Sequence, residues 1–310
     1  MCGIAGLIHR GKSSNVGEEL QSMLQALKHR GPDSTGYALY AQNDGQNFIM
    51  RFKVGENVGE GSTSVNEDAS VYDERKKLVD NNLSELGATI EKEEKLTPYS
   101  YRYEIKYDKD LMDFSKKIES VEMVEILSIG KSLELIKDLG DANTVSDQYD
   151  LGGFQGTHAI GHTRMATESD VDIRSAHPYW AYPFNDIALV HNGQLTNYWG
   201  FRREMERRGH RFVSNCDSEL IAVYIADRID QGDDLESAME RSVEELDGVF
   251  TYVVATQNKL GMAKDVMAAK PMVLYESDDF VALASEEVAI RSVFPHEIDT
   301  YDPYEGEVRV

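Results

Sequence analysis

The sequence predicts an α+β fold with antiparallel strands, and three observations carry that prediction. The chain opens on a strand, a helix and a second strand; an apolar strand near residue 190 is followed at once by helical spacing; and apolar, β-rich runs alternate with turn residues between Val249 and Leu283. In order, residues 3–9 and 36–42 read as strands, and between them "VGEELQSMLQALKHR" places Leu20, Met23, Leu24 and Leu27 on one helical face. The stretch "HRGPDSTG" at 29–36 stops that helix with Gly31 and Pro32 and leaves Arg30 and Asp33 on a tight connection. Further on, "IALVHNGQLTN" at 187–197 predicts a buried strand running into an Asn-Gly turn, then an amphipathic helix around Phe201–Arg208. "CDSELIAVYIADRI" at 216–229 predicts a helix with Asp217 and Ser218 at its N-terminal end. The runs "VFTYVVAT", "KLGMAKDV" and "FVALAS" complete the strands.

Between Gly45 and Gly156 the composition shifts. Residues 56–150 hold 23 acidic and 12 basic side chains, a net of −11 out of −23 for the whole chain, so nearly half the charge sits there. The stretch is a folded α+β excursion rather than a linker. "YSYRYEIKY" at 99–107 alternates as a half-buried strand, and "VEMVEILSIGKSLELIKDLG" at 121–140 carries apolar residues at helical spacing. The aromatic stripe of the first fits an ordinary sheet face better than a ligand platform. Within the second, "SIGKS" is no phosphate loop, because Glu125 stands where that motif requires glycine.

The chain has 310 residues, 41% of them hydrophobic, enough for a full core. No stretch approaches a membrane span, and His9, Arg10 and Lys12 interrupt the start too soon for a signal peptide, so a cytoplasmic location is expected. Two cysteines, Cys2 and Cys216, imply no disulfide framework and suit a reducing compartment. With 55 acidic against 32 basic side chains, nucleic acid and anionic membrane surfaces are poor partners; a basic protein face and plain solubility are the two readings of that charge. A metal site built from His158, His162, His177 and His191 is not expected, because their spacings match no ligand motif.

Cys2 follows the initiator methionine directly. It reads either as a small hydrophobe entering the first strand or, after removal of Met1, as a residue carrying both a thiol and a free α-amine. Such an amine titrates at about 7.7–8.0 and can take the thiol proton without a histidine partner. Amide hydrolysis would further require a carboxylate clamp, an oxyanion hole and an ammonium anchor, and the chain offers a candidate for each. Arg164, with the Thr167 hydroxyl nearby in "IGHTRMATES", suits a bidentate grip on a carboxylate. Asn192 and the Gly193 backbone N–H in "HNG" could receive an oxyanion, and Asp217 in "NCDSE" an ammonium. Singly, each also reads as a surface arginine, a hairpin turn or a helix cap.

In this order, "MCGIAG", "HRGPDSTG", "GHTRMAT", "AHP", "HNG", "CDSE", "LDGVFTYVVA", "AKDVMAAKPM" and "ASEEVAI" resemble the class II glutamine amidotransferases over nearly the whole chain outside the excursion. The resemblance implies a four-layer αββα sandwich of the N-terminal-nucleophile (Ntn) hydrolase type, spanning 1–310 with the excursion inserted at about 46–155. It implies Cys2 as nucleophile and, through its amine, base; Asn192 and Gly193 at the oxyanion; Arg164 and Thr167 on the substrate carboxylate; Asp217 on its ammonium; and Arg30 beside the nucleophile. His177 and His191 would be structural supports. Met165 stands where many members carry an aromatic residue, and Glu168 where several carry histidine. The expected activity is hydrolysis of L-glutamine to L-glutamate and ammonia through a Cys2 thioester, with no cofactor on this chain. No synthase domain follows in the sequence, and "GHTRMATES" with the long insertion looks most like the free-standing subunits of glutamate-synthase-like and N-methylglutamate synthase complexes. The expected partner is therefore a synthase subunit, one that would contain flavin or an iron–sulfur centre. A glutamine-sensing regulatory subunit is the alternative reading, disfavoured because a sensor needs the clamp and no oxyanion hole.

Overall fold

A computed structural model describes residues 2–42, 45, 47–56, 68–165, 173–294 and 296–310. Among these, the strands form three sheets. The first has the order β13-β14-β1-β8-β2-β7, built from β1 (Gly3–His9), β2 (Ser34–Tyr40), β7 (Leu133–Leu139), β8 (His158–Arg164), β13 (Val273–Glu276) and β14 (Phe280–Ala284). The second has the order β15-β12-β11-β10-β9, from β9 (Tyr179–Trp180), β10 (Ala188–Leu195), β11 (Gly248–Ala255), β12 (Leu260–Lys264) and β15 (Val308–Arg309). All the pairings are antiparallel.

Strand alternation decides the layers. In β1 and β2, Ile4, Ala38 and Tyr40 face the second sheet, where they pack with Ala188, Val190, Val253 and Met262. Their neighbours Ala5, Leu7, Tyr37 and Leu39 face outward onto α1 (Val16–Ala26), α4 (Ala142–Tyr149) and α8 (Glu287–Val293). The four residues predicted for one face of α1, Leu20, Met23, Leu24 and its cap Leu27, are all fully buried there. On the other side, Leu189, Phe250, Tyr252 and Val254 receive α6 (Asp217–Asp230) and α7 (Leu235–Glu245), beside α5 (Tyr198–Arg207). The order is helix, sheet, sheet, helix: the αββα sandwich.

The third sheet, β4-β5-β3-β6, consists of β3 (Phe48–Lys53), β4 (Thr89–Lys95), β5 (Ser100–Lys106) and β6 (Glu125–Gly130), with α2 (Ala69–Leu86) and α3 (Leu111–Ile118). Its tyrosine strand packs as an ordinary sheet face, Tyr101 and Tyr103 lying buried with Phe52, Val79 and Phe114 in a core continuous with the sandwich interior. The edge strand β4, "TIEKEEK", is mostly exposed and charged, which discourages pairing with another chain. The sheet is complete at Gly130, and the chain is back in the first sheet with β7 at 133, well before the 155 expected for the end of the excursion.

Three local expectations are corrected. Residues 121–140 are not a helix but two strands, β6 in the third sheet and β7 in the first, joined by a tight turn. Both strands are buried on both faces, so the alternation that marks a strand is absent, and Ile126, Ile129, Leu133 and Ile136 mimic helical spacing. The turn between them is held from a distance: Lys131, Ser132 and Leu133 donate their backbone N–H groups to the Asp186 carboxylate at 3.0, 2.9 and 2.8 Å. "SIGKS" is thus the end of β6 and the turn that carries the chain from the third sheet into the first. The second strand begins two residues early, at Ser34. Finally, Asn192-Gly193 is not a turn, because β10 runs straight through it to Leu195, paired with β11 along its whole length.

Candidate active site

Cys2 enters the first sheet one residue ahead of β1, and three long-range contacts fix it. Ser285, just after β14, brackets Ile4: its Oγ accepts from the Ile4 N–H and its own N–H donates to the Ile4 carbonyl, each at 2.9 Å. Arg30, buried after α1, donates from Nε to the Cys2 carbonyl at 2.9 Å and from Nη1 to Glu286 at 2.5 Å. Asn192 Nδ2 donates to the same carbonyl at 3.1 Å. Cys2, Arg30, Asn192 and Gly193 thereby line one cleft of about 490 Å3, with Met165, Gln194, Thr196, Val249, Lys270 and Pro271.

Glycines let the motif segments close around it. Gly31 packs on the Arg164 backbone, and a Cβ on Gly36 would come within 2.0 Å of the His177 carbonyl. Gly193 has φ +145°, and a Cβ there would lie 2.0 Å from the Val249 carbonyl and 2.9 Å from His191 Nε2. No other residue type fits that position.

Behind the cleft is a buried imidazole cluster. His162, from the middle of β8, has Nε2 3.0 Å from Asn192 Oδ1 and stacks on His177 at 4.2 Å between ring centroids. His177 Nε2 and His191 Nδ1 both meet Ser218 Oγ, at 2.6 and 2.8 Å. Burial, with the neighbouring imidazoles, pushes His177 well below the usual histidine range; burial also lowers His191, Asp217 pulling the other way. Both rings are therefore neutral at pH 7. Burial pushes the Cys2 thiol up, but hydrogen bonding, from His162 first and then from the Met165 backbone, outweighs it, bringing the thiol down from 9.0 to about 7. A substantial thiolate fraction follows at neutral pH.

The other predicted residues sit around this core. Arg164 ends β8 and precedes Met165, whose carbonyl faces Cys2 Sγ at 4.0 Å, but its side chain is not part of the cleft lining. Asp217 does not cap its helix: Oδ2 accepts from the Leu195 N–H at 2.9 Å, and Oδ1 lies 3.6 Å from His191 Nδ1. It too lies outside the lining. Thr167 and Glu168 lie outside the described residues, as does Met1. Sequence reasoning assigned no role to Lys270, Ser285 or Glu286, although "AKDVMAAKPM" and "ASEEVAI" carry them, and it considered His162 only as a metal ligand. Among the described residues no group of three or more His, Cys, Asp or Glu side chains could hold a metal ion, both cysteines are free, and no helix is long and apolar enough to cross a membrane.

A glutamine amidotransferase domain family matches residues 162–292. A Methanothermobacter thermautotrophicus protein, named as a candidate glutamine amidotransferase, is 40% identical over the whole of this chain and 99% of its own length. The glutamine amidotransferase-like protein GlxB of Rhizobium meliloti is 33% identical over 92% of this chain and 89% of its own. Among solved structures, the B. subtilis glutamine phosphoribosylpyrophosphate amidotransferase complexed with ADP and GMP superposes with a TM-score of 0.60 at 17% identity, covering 99% of this chain. This chain spans about half of that one, 46% of its length.

Proposed function

The chain belongs to the class II glutamine amidotransferases, amide-hydrolysing enzymes of the Ntn-hydrolase fold, and we propose that it hydrolyses L-glutamine at Cys2 and passes the ammonia to a synthase on another polypeptide. The observation that carries the first part is the meeting of Cys2, its thiol near pKa 7, with Asn192 and Gly193 in one cleft.

The chemistry follows from the groups present. Once Met1 is removed, the Cys2 α-amine takes the thiol proton as Sγ attacks the amide carbon of glutamine. The carbonyl oxygen, now negative, is received by Asn192 Nδ2 and the Gly193 N–H. Collapse of the intermediate breaks the C–N bond, the amine returns its proton to the leaving nitrogen, and ammonia departs, leaving a thioester. Water, deprotonated by the same amine, attacks the thioester; glutamate leaves and the thiol recovers its proton. Arg164 with Thr167 would grip the glutamine α-carboxylate and Asp217 its α-ammonium, while Arg30, already committed to the Cys2 carbonyl and Glu286, would hold the nucleophile's backbone. Every protein group used is a side chain, a backbone amide or the Cys2 α-amine, so the hydrolysis as proposed calls for no cofactor on this chain.

For the acceptor, we propose a synthase subunit of the glutamate-synthase-like or N-methylglutamate synthase kind, docking on the acidic third sheet. Residues 48–130, which form it, hold 18 acidic and 12 basic side chains, a net of −6, which favours a basic face on the partner and an association weakened by salt. The test is glutamate release from glutamine by purified protein whose N-terminus has been read by mass spectrometry, beside Cys2→Ala. Turnover that requires a free Cys2 amine and is abolished by Cys2→Ala, with thermal unfolding unchanged, supports the reading. Full turnover by protein retaining Met1 overturns the mechanism; glutamine binding without turnover in the processed protein makes it a sensor. Co-purification with a flavin- or iron–sulfur-containing synthase supports the delivery step, and full activity as a lone chain refutes it.

A further inference from the structure

The Asn192 side chain must point its nitrogen, not its oxygen, at a developing oxyanion. Its two ends are sterically alike, so something must choose between them. One neighbour is the Cys2 carbonyl, which can only accept, so the end facing it is Nδ2. The amide oxygen then faces His162 Nε2 at 3.0 Å, and that nitrogen must carry the proton. His162 sits between Ile4 of β1 and Gly36 of β2, while Asn192 lies opposite Thr251 in the second sheet, so this hydrogen bond spans the two layers directly behind the nucleophile. The ring has little freedom to give: it is buried and stacks on His177, which Ser218 holds in turn.

We propose that His162 is the positioning residue of the oxyanion donor, its Nε2–H holding the Asn192 amide with Nδ2 turned toward Cys2. The inference rests on the roles given above to Cys2 and Asn192. Without His162 the amide oxygen loses its donor inside the protein, and an amide rotated to regain one presents a lone pair where the negative charge forms. Binding of glutamine involves no oxyanion, so the loss falls on kcat and leaves KM nearly unchanged.

The experiment is steady-state glutaminase kinetics on processed full-length protein for wild type, His162→Ala, His162→Gln, His162→Asn, Asn192→Ala and the His162→Ala/Asn192→Ala double variant. A glutamine amide nitrogen reaches the position of Nε2, whereas that of asparagine reaches only Nδ1. The expected result is a kcat lowered by about 10–10² in His162→Ala and His162→Asn, within the about 10²–10³ that loss of an oxyanion donor costs, with KM within about twofold. His162→Gln should recover most of it, and the cost of His162→Ala should be smaller once Asn192 is alanine. Unchanged kcat in the alanine variant, equal loss in the glutamine and asparagine variants, or an undiminished loss in the Asn192→Ala background each overturns the proposal. Should His162→Ala fail to fold, the glutamine–asparagine pair decides it. A wild type without any turnover would instead refute the glutaminase reading, which keeps the two failures apart.

Discussion

Among the described residues, two buried polar clusters are built on opposite principles. Behind Cys2, His162, His177 and His191 are linked through Ser218 and Asn192, and His177 and His191 are held neutral. At the junction of the third sheet with the sandwich the buried groups are ions: Glu125 lies between Lys53 at 3.1 Å and Lys137 at 3.8 Å, and Glu134 takes Arg51 at 2.5 Å and Arg102 at 2.8 Å. Lys137 also donates to the carbonyls of Arg174 and Ala176, tying β7 to the segment that leads into His177. Fixed ions set register and orientation at the cost of desolvation, whereas neutral imidazoles leave the local field to the charges of the reaction itself. The contrast separates stability from catalysis.

The largest expected effect breaks the ionic cluster. Glu125→Ala leaves two buried ammonium groups facing each other and should cost about 3–5 kcal/mol in denaturant unfolding, yet leave kcat unchanged below the transition. Asn192→Ala should do the reverse, lowering kcat by about 10²–10³ with unfolding little altered. Asp217→Ala and Arg164→Ala should chiefly raise KM. If Glu125→Ala lowers kcat as strongly as Asn192→Ala does, the two clusters are not separable.

Acid should distinguish them by window. Burial holds His158, in the same strand as His162, down to about 4 against an ordinary 6.5, so the folded state resists a proton that the unfolded chain accepts. The stability it contributes is complete above 6.5 and is lost as pH falls from there to about 4, and His177 and His191 shift in the same direction. Glu125 is pushed up by burial but held down to about 2 by Lys53 and Lys137, so its contribution is complete above 4.5 and is lost between there and about 2. Unfolding free energy against pH should therefore fall in two steps, with Glu125→Gln removing only the lower one. Separately, the rate of Cys2 alkylation by iodoacetamide should rise with pH about a midpoint near 7.

The smallest effect on stability belongs to the edge of the third sheet. Glu91, Glu93 and Glu94 pair with Lys106, Lys76 and Lys92 on the surface, and reversing each charge should cost about 0–1 kcal/mol. Their reversal is expected to weaken capture of the synthase subunit proposed above and flatten its salt dependence. Capture that is indifferent to the change would leave this surface with a solubilising role only.

What the sequence determined by itself is what neighbours along the chain decide. The face of α1 is legible because Leu20, Met23, Leu24 and Leu27 recur at the helical period, and β5 because Tyr99 to Tyr107 alternate. That Cys2, Asn192 and Gly193 bring a thiol, an amide and an unobstructed backbone N–H is legible because those groups are intrinsic to the residues. The tertiary structure decided whatever depends on a partner far along the chain. The turn from β6 to β7 is held by Asp186, more than fifty residues away, and both strands are covered on both faces, which erases the local signal. Asn-Gly, a turn signal between exposed strands, runs straight through β10 because β11 pairs with it and no Cβ obstructs Val249. His162 is one histidine among eight in the sequence. Only the stacking of two sheets face to face puts its Nε2 against the amide of Asn192, because a hydrogen bond between layers leaves no periodicity in either strand.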